Sequence, residues 1–172
     1  MEQLRSLIRD VPDFPEPGIV FKDNAPLLAD AEGLQLSLQA MTAPYEGQKI
    51  THVAGIEARG FIFATPVAVQ IGAGFVPIRK PGKLPFTTVE TTYDLEYGSD
   101  SIHAHADAVS PGDRVLIVDD VLATGGTAAA AVELIRSLGA EVVGVSVLVE
   151  LGFLNGRSKI DVPIGAVIVY DD

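Results

Sequence analysis

The sequence has no cysteine and no tryptophan, and its 172 residues include only 2 methionines. Without cysteine there is no disulfide framework and no thiol nucleophile. Basic side chains are scarce too, since 12 Lys and Arg stand against 23 Asp and Glu, a formal net charge of −11 at pH 7. Because nonspecific nucleic-acid binding depends on Lys and Arg that displace counterions from phosphates, this charge predicts no nucleic-acid partner.

Long apolar runs and the common nucleotide-binding fingerprints are missing as well. No apolar run approaches the roughly 18 residues needed to cross a bilayer, and the first residues have no basic-then-apolar leader. We therefore expect a cytoplasmic protein with no membrane partner. Neither a Gly-x-x-x-x-Gly-Lys-Ser/Thr loop nor a Gly-x-Gly-x-x-Gly turn occurs. A phosphate ester would then be held by backbone N–H groups, a helix N-terminus, a few placed cations or Mg²⁺.

Apolar segments of strand length alternate with helical segments over most of the chain. This alternation predicts an α/β fold with a central, mainly parallel sheet flanked by helices. We expect one domain over residues 1–172. Ligands in such folds bind at the carboxyl ends of strands. The predicted strands are Ile50–Gly55, Gly74–Ile78, Arg114–Val118, Val142–Val149 and Ile164–Val169, and the predicted helices are Asp30–Ala43, Gly60–Gln70 and Thr127–Leu138.

Two segments fall outside the alternation. Residues 1–29 contain a short amphipathic helix followed by a proline-rich loop. Residues 79–113 are polar and rich in Pro, Gly and Thr, with alternating stretches at Thr92–Tyr97 and Ser101–Ala106 that resemble a two-stranded ribbon. Long excursions of this kind are usually functional lids or disordered segments. The Lys and aromatic content favours a flexible two-stranded lid.

The stretch VLIVDDVLATGGT, from Val115 to Thr127, predicts a phosphate-binding turn between a buried strand and a helix. Its glycines allow a tight backbone with inward N–H groups, its threonines supply hydroxyls, and the helix dipole adds positive potential. The residues predicted to hold a phosphate are Ala123, Thr124, Gly125, Gly126 and Thr127.

Two adjacent carboxylates, Asp119 and Asp120, stand between the predicted strand and this turn. Carboxylates at that place can accept hydrogen bonds from ribose hydroxyls, or help to hold Mg²⁺ directly or through water. The alternative interpretation is a solvated strand end followed by ordinary turn chemistry.

The proline-rich segment DFPEPGIVFKD, Asp13–Asp23, has an apolar insert that ends in Phe21. Prolines stiffen the loop, so the Phe21 ring can stack on a flat ligand while backbone groups read its edge. Alternatively, Phe14 and Phe21 only pin the loop to the core.

Two more segments carry candidate functional side chains. GIEARGF, Gly55–Phe61, follows a strand and places Arg59 in a tight turn. A guanidinium there can grip pyrophosphate in a forked arrangement, although a surface salt bridge is the alternative. In YDLEYG, Tyr93–Gly98, the spacing puts Asp94 and Glu96 on one face of the ribbon.

The Val115–Thr127 string closely resembles the phosphoribosyl pyrophosphate (PRPP) motif of type I phosphoribosyltransferases. Further segments, in the right order over essentially the whole chain, resemble the adenine phosphoribosyltransferase family. Departures from the family pattern are Lys22 for Arg, Asn24-Ala25 for Ile-Ser/Thr, and Phe86 where Gly-Pro is usual. The matching segments are Phe14–Asp23, Gly55–Phe61, Arg79–Pro85, Leu95–Gly98 and Glu150–Arg157.

The resemblance implies the type I fold and a purine-salvage enzyme. In this reaction adenine displaces pyrophosphate from C1′ of PRPP with inversion and gives AMP. Mg²⁺ would be carried mainly by PRPP, with Asp119 or Asp120 as candidate side-chain ligands. A homodimer is implied, because the counterpart of Arg79 in the family reaches a neighbouring subunit's site. By position, the residues that would face adenine are Val20, Phe21 and Lys22, and those that would meet pyrophosphate are Arg59, Arg79, Lys80 and Lys83. Glu96 would be the acid/base group, and Tyr97 would help to close the site.

Two alternatives remain open for the activity. A hypoxanthine- or xanthine-type purine phosphoribosyltransferase carries a similar lid start, and a PRPP-sensing regulator would keep the fold but needs a basic DNA-binding module. The segment Glu150–Arg157 is predicted to be a structural turn in which Arg157 forms a salt bridge.

Overall fold

The structure is a computed structural model that describes residues 2–94 and 99–171. Short 3-10 turns at 43–45, 152–154 and 156–159 supplement the helices and strands. In chain order the elements are α1 (Glu2–Ser6), β1 (Arg9–Pro12), β2 (Val20–Asp23), α2 (Ala25–Ala29), α3 (Ala31–Thr42), β3 (His52–Ile56), α4 (Gly60–Ile71), β4 (Gly74–Ile78), β5 (Thr88–Asp94), β6 (Ser99–His105), β7 (Arg114–Leu122), α5 (Gly126–Ser137), β8 (Glu141–Leu151) and β9 (Ile164–Tyr170).

The central sheet has five parallel strands in the order β4-β3-β7-β8-β9. Apolar side chains of β7 alternate between its two faces. Val115 and Ile117 pack with the cluster under α5, whereas Leu116 and Val118 pack with the cluster under α3 and α4. Because both faces are buried over Val115–Val118, each of these four positions is apolar, which is why the sequence shows a continuous run there. The predicted α/β fold with a flanked parallel sheet is confirmed.

Strand β7 is longer than the sequence predicted. The prediction ended it near Val118, but it continues to Leu122 because the long neighbour β8 supplies pairing partners up to Glu150. The two carboxylates therefore lie inside the strand, with Asp119 opposite Val147 in the register. Their backbone is held by the sheet ladder, so the carboxylate positions are determined by the fold.

The ribbon is an antiparallel pair of strands, β5 and β6, and its prediction is confirmed with an earlier start. It joins the edge of the central sheet through the backbone pair Arg79 and His103. The buried side chains of Ile102 and Ala104 pack with the core under α5. The side of the ribbon that faces α5 is thus part of the core, while residues 95–98 lie outside the described residues.

A small antiparallel hairpin of β1 and β2 near the N-terminus was predicted only as a loop. Ion pairs stabilise it, with Arg9 2.7 Å from Asp23 and Lys22 2.8 Å from Asp10. Strand β1 reads Arg-Asp-Val-Pro and β2 reads Val-Phe-Lys-Asp. Neither shows the apolar–polar alternation that indicates a strand, so the sequence did not predict them. The hairpin carries Val20 and Phe21 over the carboxyl edge of the central sheet.

The three predicted helices are confirmed as α3, α4 and α5, within two residues at each end. The Asp30 carboxylate caps α3 by accepting a hydrogen bond from the Gly33 N–H at 2.7 Å. Within the described residues, no helix is long and apolar enough to cross a membrane.

Candidate active site

A cleft of about 560 Å³ lies at the carboxyl edge of the central sheet, beneath the β1–β2 hairpin. Parallel strands end on this edge and deliver their following turns to one place, as the sequence predicted. Among the predicted site residues, the cavity wall contains Val20, Phe21, Lys22, Arg59, Lys80, Asp119, Asp120, Ala123 and Thr127.

The phosphate turn, Ala123–Thr127, leaves β7 and enters α5. Gly125 precedes the helix with φ +80°, a left-handed conformation that a residue with a side chain rarely adopts. The first N–H groups of a helix have no partner inside it. A pocket of about 90 Å³ is lined by Thr124, Gly125, Gly126 and Thr127 and opens beside the main cavity. The turn therefore offers backbone donors, two hydroxyls and the positive end of a helix dipole to an anion.

The acid pair, Asp119 and Asp120, occupies the floor of the cavity. Burial raises the pKa of Asp119 well above the usual aspartate value, and the neighbouring charge of Asp120 raises it further. Gly60 makes room for this carboxyl, because a Cβ on Gly60 would lie 2.7 Å from Asp119 Oδ1. The N-terminus of α4 therefore approaches the acid pair closely.

Asp120 is almost fully buried, and two partners hold its carboxylate. The Arg59 Nε lies 2.7 Å from Oδ2, and the Asn24 amide donates to the same oxygen at 3.1 Å. Asn24 is itself 5% exposed. Asn24 was expected only as a departure from the family pattern. Because Asn24 and Asp120 are separated by 96 positions in the sequence, no local pattern indicated this contact.

Arg59 stands at the start of α4 between the acid pair and the hairpin. Its guanidinium carbon lies 5.5 Å from the centre of the Phe21 ring, so the cation contacts both the carboxylate and an aromatic face. The surface salt bridge weighed as an alternative is in fact an ion pair with a buried carboxylate inside the cleft.

Two of the basic residues that begin the long polar segment, Arg79 and Lys80, are paired with carboxylates. Arg79 Nε lies 2.6 Å from the Glu57 carboxylate, and another of its nitrogens donates to the Lys83 carbonyl at 3.0 Å. Within the described part of the chain, the cavity wall includes Lys80 but neither Arg79 nor Lys83. Glu57 also lines the cavity and was missed by the sequence analysis.

Lys80 joins the ribbon to the phosphate turn. Its ammonium pairs with the Asp100 carboxylate and donates to the Tyr93 hydroxyl at 3.2 Å, and that hydroxyl also accepts from Thr127 at 3.2 Å. Burial lowers the pKa of Lys80, but the hydrogen bonds to Asp100 and Tyr93 more than offset this and raise it. Tyr93 is a second contact that the sequence analysis did not single out.

Apolar side chains line part of the cavity. Phe21 and Leu151 both line it, and Leu151 ends β8 within a segment that had been predicted as purely structural. The Lys22 ammonium turns to Asp10, at 2.8 Å, and lies 4.3 Å from the centre of the Tyr170 ring. Glu96 and Tyr97 lie outside the described residues, so their predicted catalytic roles stay predictions.

The acid pair is the only carboxylate pair predicted as a possible metal site. Across residues 2–94 and 99–171, no group of three or more His, Asp or Glu side chains is arranged to hold a metal ion. Mg²⁺ commonly combines one or two protein carboxylates with water and substrate oxygens.

A match to a protein family defines the class of protein to which the chain belongs. The phosphoribosyl transferase domain family matches residues 33–169. The chain belongs to this family, and the transferase class expected from the sequence is confirmed.

Individual relatives narrow the class. The adenine phosphoribosyltransferase of Thermobifida fusca is 62% identical over 153 residues, which cover 89% of this chain and 87% of the relative. That of Streptomyces clavuligerus is 55% identical over 96% of this chain and 93% of its own. The resemblance to adenine phosphoribosyltransferases is thereby confirmed.

Solved structures agree with the sequence relatives. The adenine phosphoribosyltransferase of Rhodothermus marinus has a TM-score of 0.94 at 52% identity and covers 98% of this chain and 97% of its own. The Saccharomyces cerevisiae enzyme, solved with an imino-altritol bisphosphate and adenine, has a TM-score of 0.93 at 39% identity, covering 96% and 97%.

Proposed function

We propose that the protein transfers the phosphoribosyl group of PRPP to adenine and forms AMP and pyrophosphate, a step of purine salvage. One observation carries this proposal. A single cavity of about 560 Å³ is lined by the acid pair, by Ala123 and Thr127 of the phosphate turn, and by the apolar side chains of Phe21 and Leu151. Such a cavity combines acceptors for a sugar, donors for a phosphate and a contact surface for a flat base.

The phosphate turn is assigned to the 5′-phosphate of PRPP. Thr124 supplies a hydroxyl donor, and Thr127 would supply a second by exchanging its acceptor Tyr93 for the phosphate. The N–H groups at the start of α5 supply backbone donors with the helix dipole behind them. The acid pair is assigned to the ribose, because its 2′- and 3′-hydroxyls are donors that match carboxylate acceptors.

Adenine is assigned to the space between β2 and the end of β8. A purine ring stacks favourably on an aromatic face such as Phe21, and Leu151 offers apolar area across the cavity. Backbone groups of Val20 and Lys22 would then read the edge of the base, since the Lys22 side chain is engaged by Asp10.

In the reaction, adenine N9 attacks C1′ as the bond from C1′ to the pyrophosphate oxygen breaks, so the configuration at C1′ inverts. Positive charge develops at C1′ and negative charge on the leaving group. Arg59 and Lys80 line the cavity and would stabilise the leaving group electrostatically, while the acid pair and phosphate turn hold C1′ in line. We assign the N9 proton to Glu96, with Tyr97 closing the site, on the strength of the family resemblance.

Mg²⁺ bound to pyrophosphate would neutralise part of the charge of the leaving group. The donor set fits an ion held chiefly through PRPP, because Mg²⁺ commonly combines one or two carboxylates with substrate oxygens. Asp119 is the better placed of the pair for a contact with the ion, since Asp120 is already occupied by Arg59 and Asn24.

A homodimer is proposed with the enzyme. Helix α4 exposes Ile62 and Val69 seven residues apart, and Phe75 on the neighbouring edge strand β4 is also exposed. Residues at this spacing share one helix face, and apolar surface of this kind is typical of subunit contacts. The cytoplasmic location stays a prediction from the sequence.

Product analysis with a panel of bases tests the activity. The protein is incubated with Mg²⁺ and PRPP plus adenine, hypoxanthine, guanine or xanthine, and the nucleotide formed is measured for each. We expect AMP from adenine and at least about 100-fold lower kcat/KM for the 6-oxo bases, because a site built to pair with an amino edge leaves buried groups unpaired against an oxo edge. Turnover of hypoxanthine in preference to adenine would establish the alternative purine activity instead.

A further inference from the structure

The turn between β8 and β9, residues 152–159, lies directly against the phosphate turn. A Cβ on Gly156 would lie 2.2 Å from the Ala123 carbonyl oxygen and 2.9 Å from the Gly125 nitrogen. In the reverse direction, a Cβ on Gly125 would lie 2.2 Å from the Gly156 carbonyl oxygen. These separations are shorter than any real side chain tolerates, so the two backbones approach as closely as only paired glycines permit.

An ion pair connects this turn to the end of β8. Glu150, the penultimate residue of β8, is 4% exposed. Arg157 donates to both of its carboxylate oxygens at 2.6 Å, through Nε and Nη2. A further nitrogen of Arg157 donates to the Ile164 carbonyl at 3.1 Å, which ties the turn to the first residue of β9. Two parallel hydrogen bonds fix the orientation of a guanidinium more strictly than a single contact.

Glu150 also stands beside the start of the phosphate turn. It is the register partner of Leu122, the last residue of β7, and the phosphate turn begins with the next residue. Its sequence neighbour Leu151 lines the cavity. One buried carboxylate therefore connects the end of β7, the end of β8 and the turn that Gly156 presses against Ala123 and Gly125.

We propose that Glu150, Gly156 and Arg157 form a brace that positions the backbone N–H groups of the phosphate turn for the 5′-phosphate of PRPP. The inference rests on the proposed function and deepens it, because it names positioning residues that do not line the cavity themselves. A phosphate bound chiefly by backbone donors depends on the exact path of that backbone. A glycine-rich turn is conformationally flexible by itself, so contacts with the brace restrict the path of its backbone.

The brace affects phosphate binding more than it affects the base or the chemical step. Arg157→Lys keeps the positive charge but replaces two fixed donors with a single flexible ammonium. We expect the KM for PRPP and the Kd for ribose 5-phosphate to rise at least about fivefold, since displacing a positioned backbone by a fraction of an ångström is costly. The KM for adenine and kcat should stay within about twofold of the wild type.

Gly156→Ala tests the same brace through the glycine contact. Because the new methyl group collides with the Ala123 carbonyl, we expect the Kd for ribose 5-phosphate to rise at least about tenfold. The matched control is Arg136→Lys. Arg136 also contacts both oxygens of a carboxylate, that of Asp161 at 2.9 Å, but the pair is exposed and outside the cavity. This control should change neither constant.

Calorimetric titration of ribose 5-phosphate, paired with steady-state kinetics and a melting curve for each variant, decides the matter. Unchanged ribose 5-phosphate affinity in Arg157→Lys would overturn the brace, and so would equal losses for PRPP and adenine together with a lowered Tm, which indicate general destabilisation. If the wild type binds ribose 5-phosphate but makes no AMP, the proposed activity fails while the titration still tests the brace.

Discussion

The carboxyl edge of the parallel sheet and the antiparallel ribbon contribute to one cavity in different ways. At the sheet edge, the acid pair is part of a buried strand and the phosphate turn is a backbone feature, so their geometry is set before any ligand arrives. On the ribbon side, Lys80 is paired with Asp100, and Arg79 is paired with Glu57. An anionic ligand can use these cations only by competing with their present partners.

The sheet edge therefore offers preorganised groups to a ligand, whereas the ribbon offers cations that must exchange a carboxylate partner for the ligand. Groups fixed by the fold cost no reorganisation when the ligand binds. Paired cations become available to a ligand when a strong competitor, such as a pyrophosphate group, displaces their carboxylate partners. Changes at the sheet edge should therefore be severe, while changes on the ribbon should be mild and of either sign.

The largest effect is expected for Asp120→Asn at the sheet edge. The change leaves Arg59 without its buried counter-charge, and it disturbs the two groups that we propose to hold the sugar and the leaving group. We expect kcat/KM to fall roughly 100-fold, the range seen when one preorganised polar group is removed from an active site. Steady-state kinetics with PRPP and adenine measures it, and Asp161→Asn at an exposed ion pair is the control.

Retention of kcat/KM within about threefold in Asp120→Asn would contradict the role of the acid pair, since such a loss is below the usual contribution of a single active-site group.

Asp119→Asn should stabilise the protein in a pH-dependent manner. Burial raises the pKa of Asp119, so the folded state disfavours its charge and loses stability as pH rises through that raised pKa. The uncharged amide removes this penalty. We expect a Tm gain of about 2–4 °C at pH 7.5, equivalent to roughly 1 kcal/mol for a chain of this size.

The same gain should vanish near pH 4, where the aspartate is neutral in the folded protein and half neutral in the unfolded one. Differential scanning calorimetry at both pH values measures it. A gain of equal size at both values would show that charge burial is not the cause.

Asp100→Asn tests the exchange expected on the ribbon. Removing the carboxylate frees Lys80, so we expect the KM for PRPP to fall about two- to threefold, in line with the small energy of a partly exposed ion pair. Glu90→Gln is the matched control, because Glu90 is an exposed ribbon carboxylate that pairs with His103 rather than with Lys80. A higher KM in Asp100→Asn would mean that the pair holds Lys80 in place instead of withholding it.

The smallest effect is expected for Lys22→Arg, which asks whether backbone or side chain reads the base. Since the Lys22 ammonium already contacts Asp10 and Tyr170, we expect the KM for adenine to change less than about twofold. Phe21→Ala, by contrast, should raise it about tenfold, because base–aromatic stacking is worth roughly 1–3 kcal/mol. Equal effects of the two variants on this KM would contradict backbone reading.

Much of the fold was readable because burial on both faces leaves a continuous apolar run. Strand β7 and the alternation around it follow directly from that rule. The extension of β7 through Asp119 to Leu122 was not readable, since it depends on the length of the neighbour β8. The sequence did not predict the β1–β2 hairpin for a related reason, because ion pairs between its two strands take the place of apolar alternation.

The same difference between local patterns and long-range contacts applies to the candidate site. Local motifs placed the phosphate turn and the acid pair at the sheet edge correctly as neighbours. Contacts between distant segments had no local pattern, as with Asn24 and Asp120 or Gly156 and Ala123. A sequence shows the glycines that would permit a close backbone approach, but it does not show which backbone segment they approach.

A crystal structure with bound AMP tests the central claim most directly. The account predicts the 5′-phosphate within hydrogen-bonding distance of the backbone nitrogens of Gly125–Thr127, the ribose hydroxyls on the acid pair, and the adenine ring between Phe21 and Leu151. AMP bound elsewhere, or with its phosphate on Lys80 and its base at the phosphate turn, would contradict it.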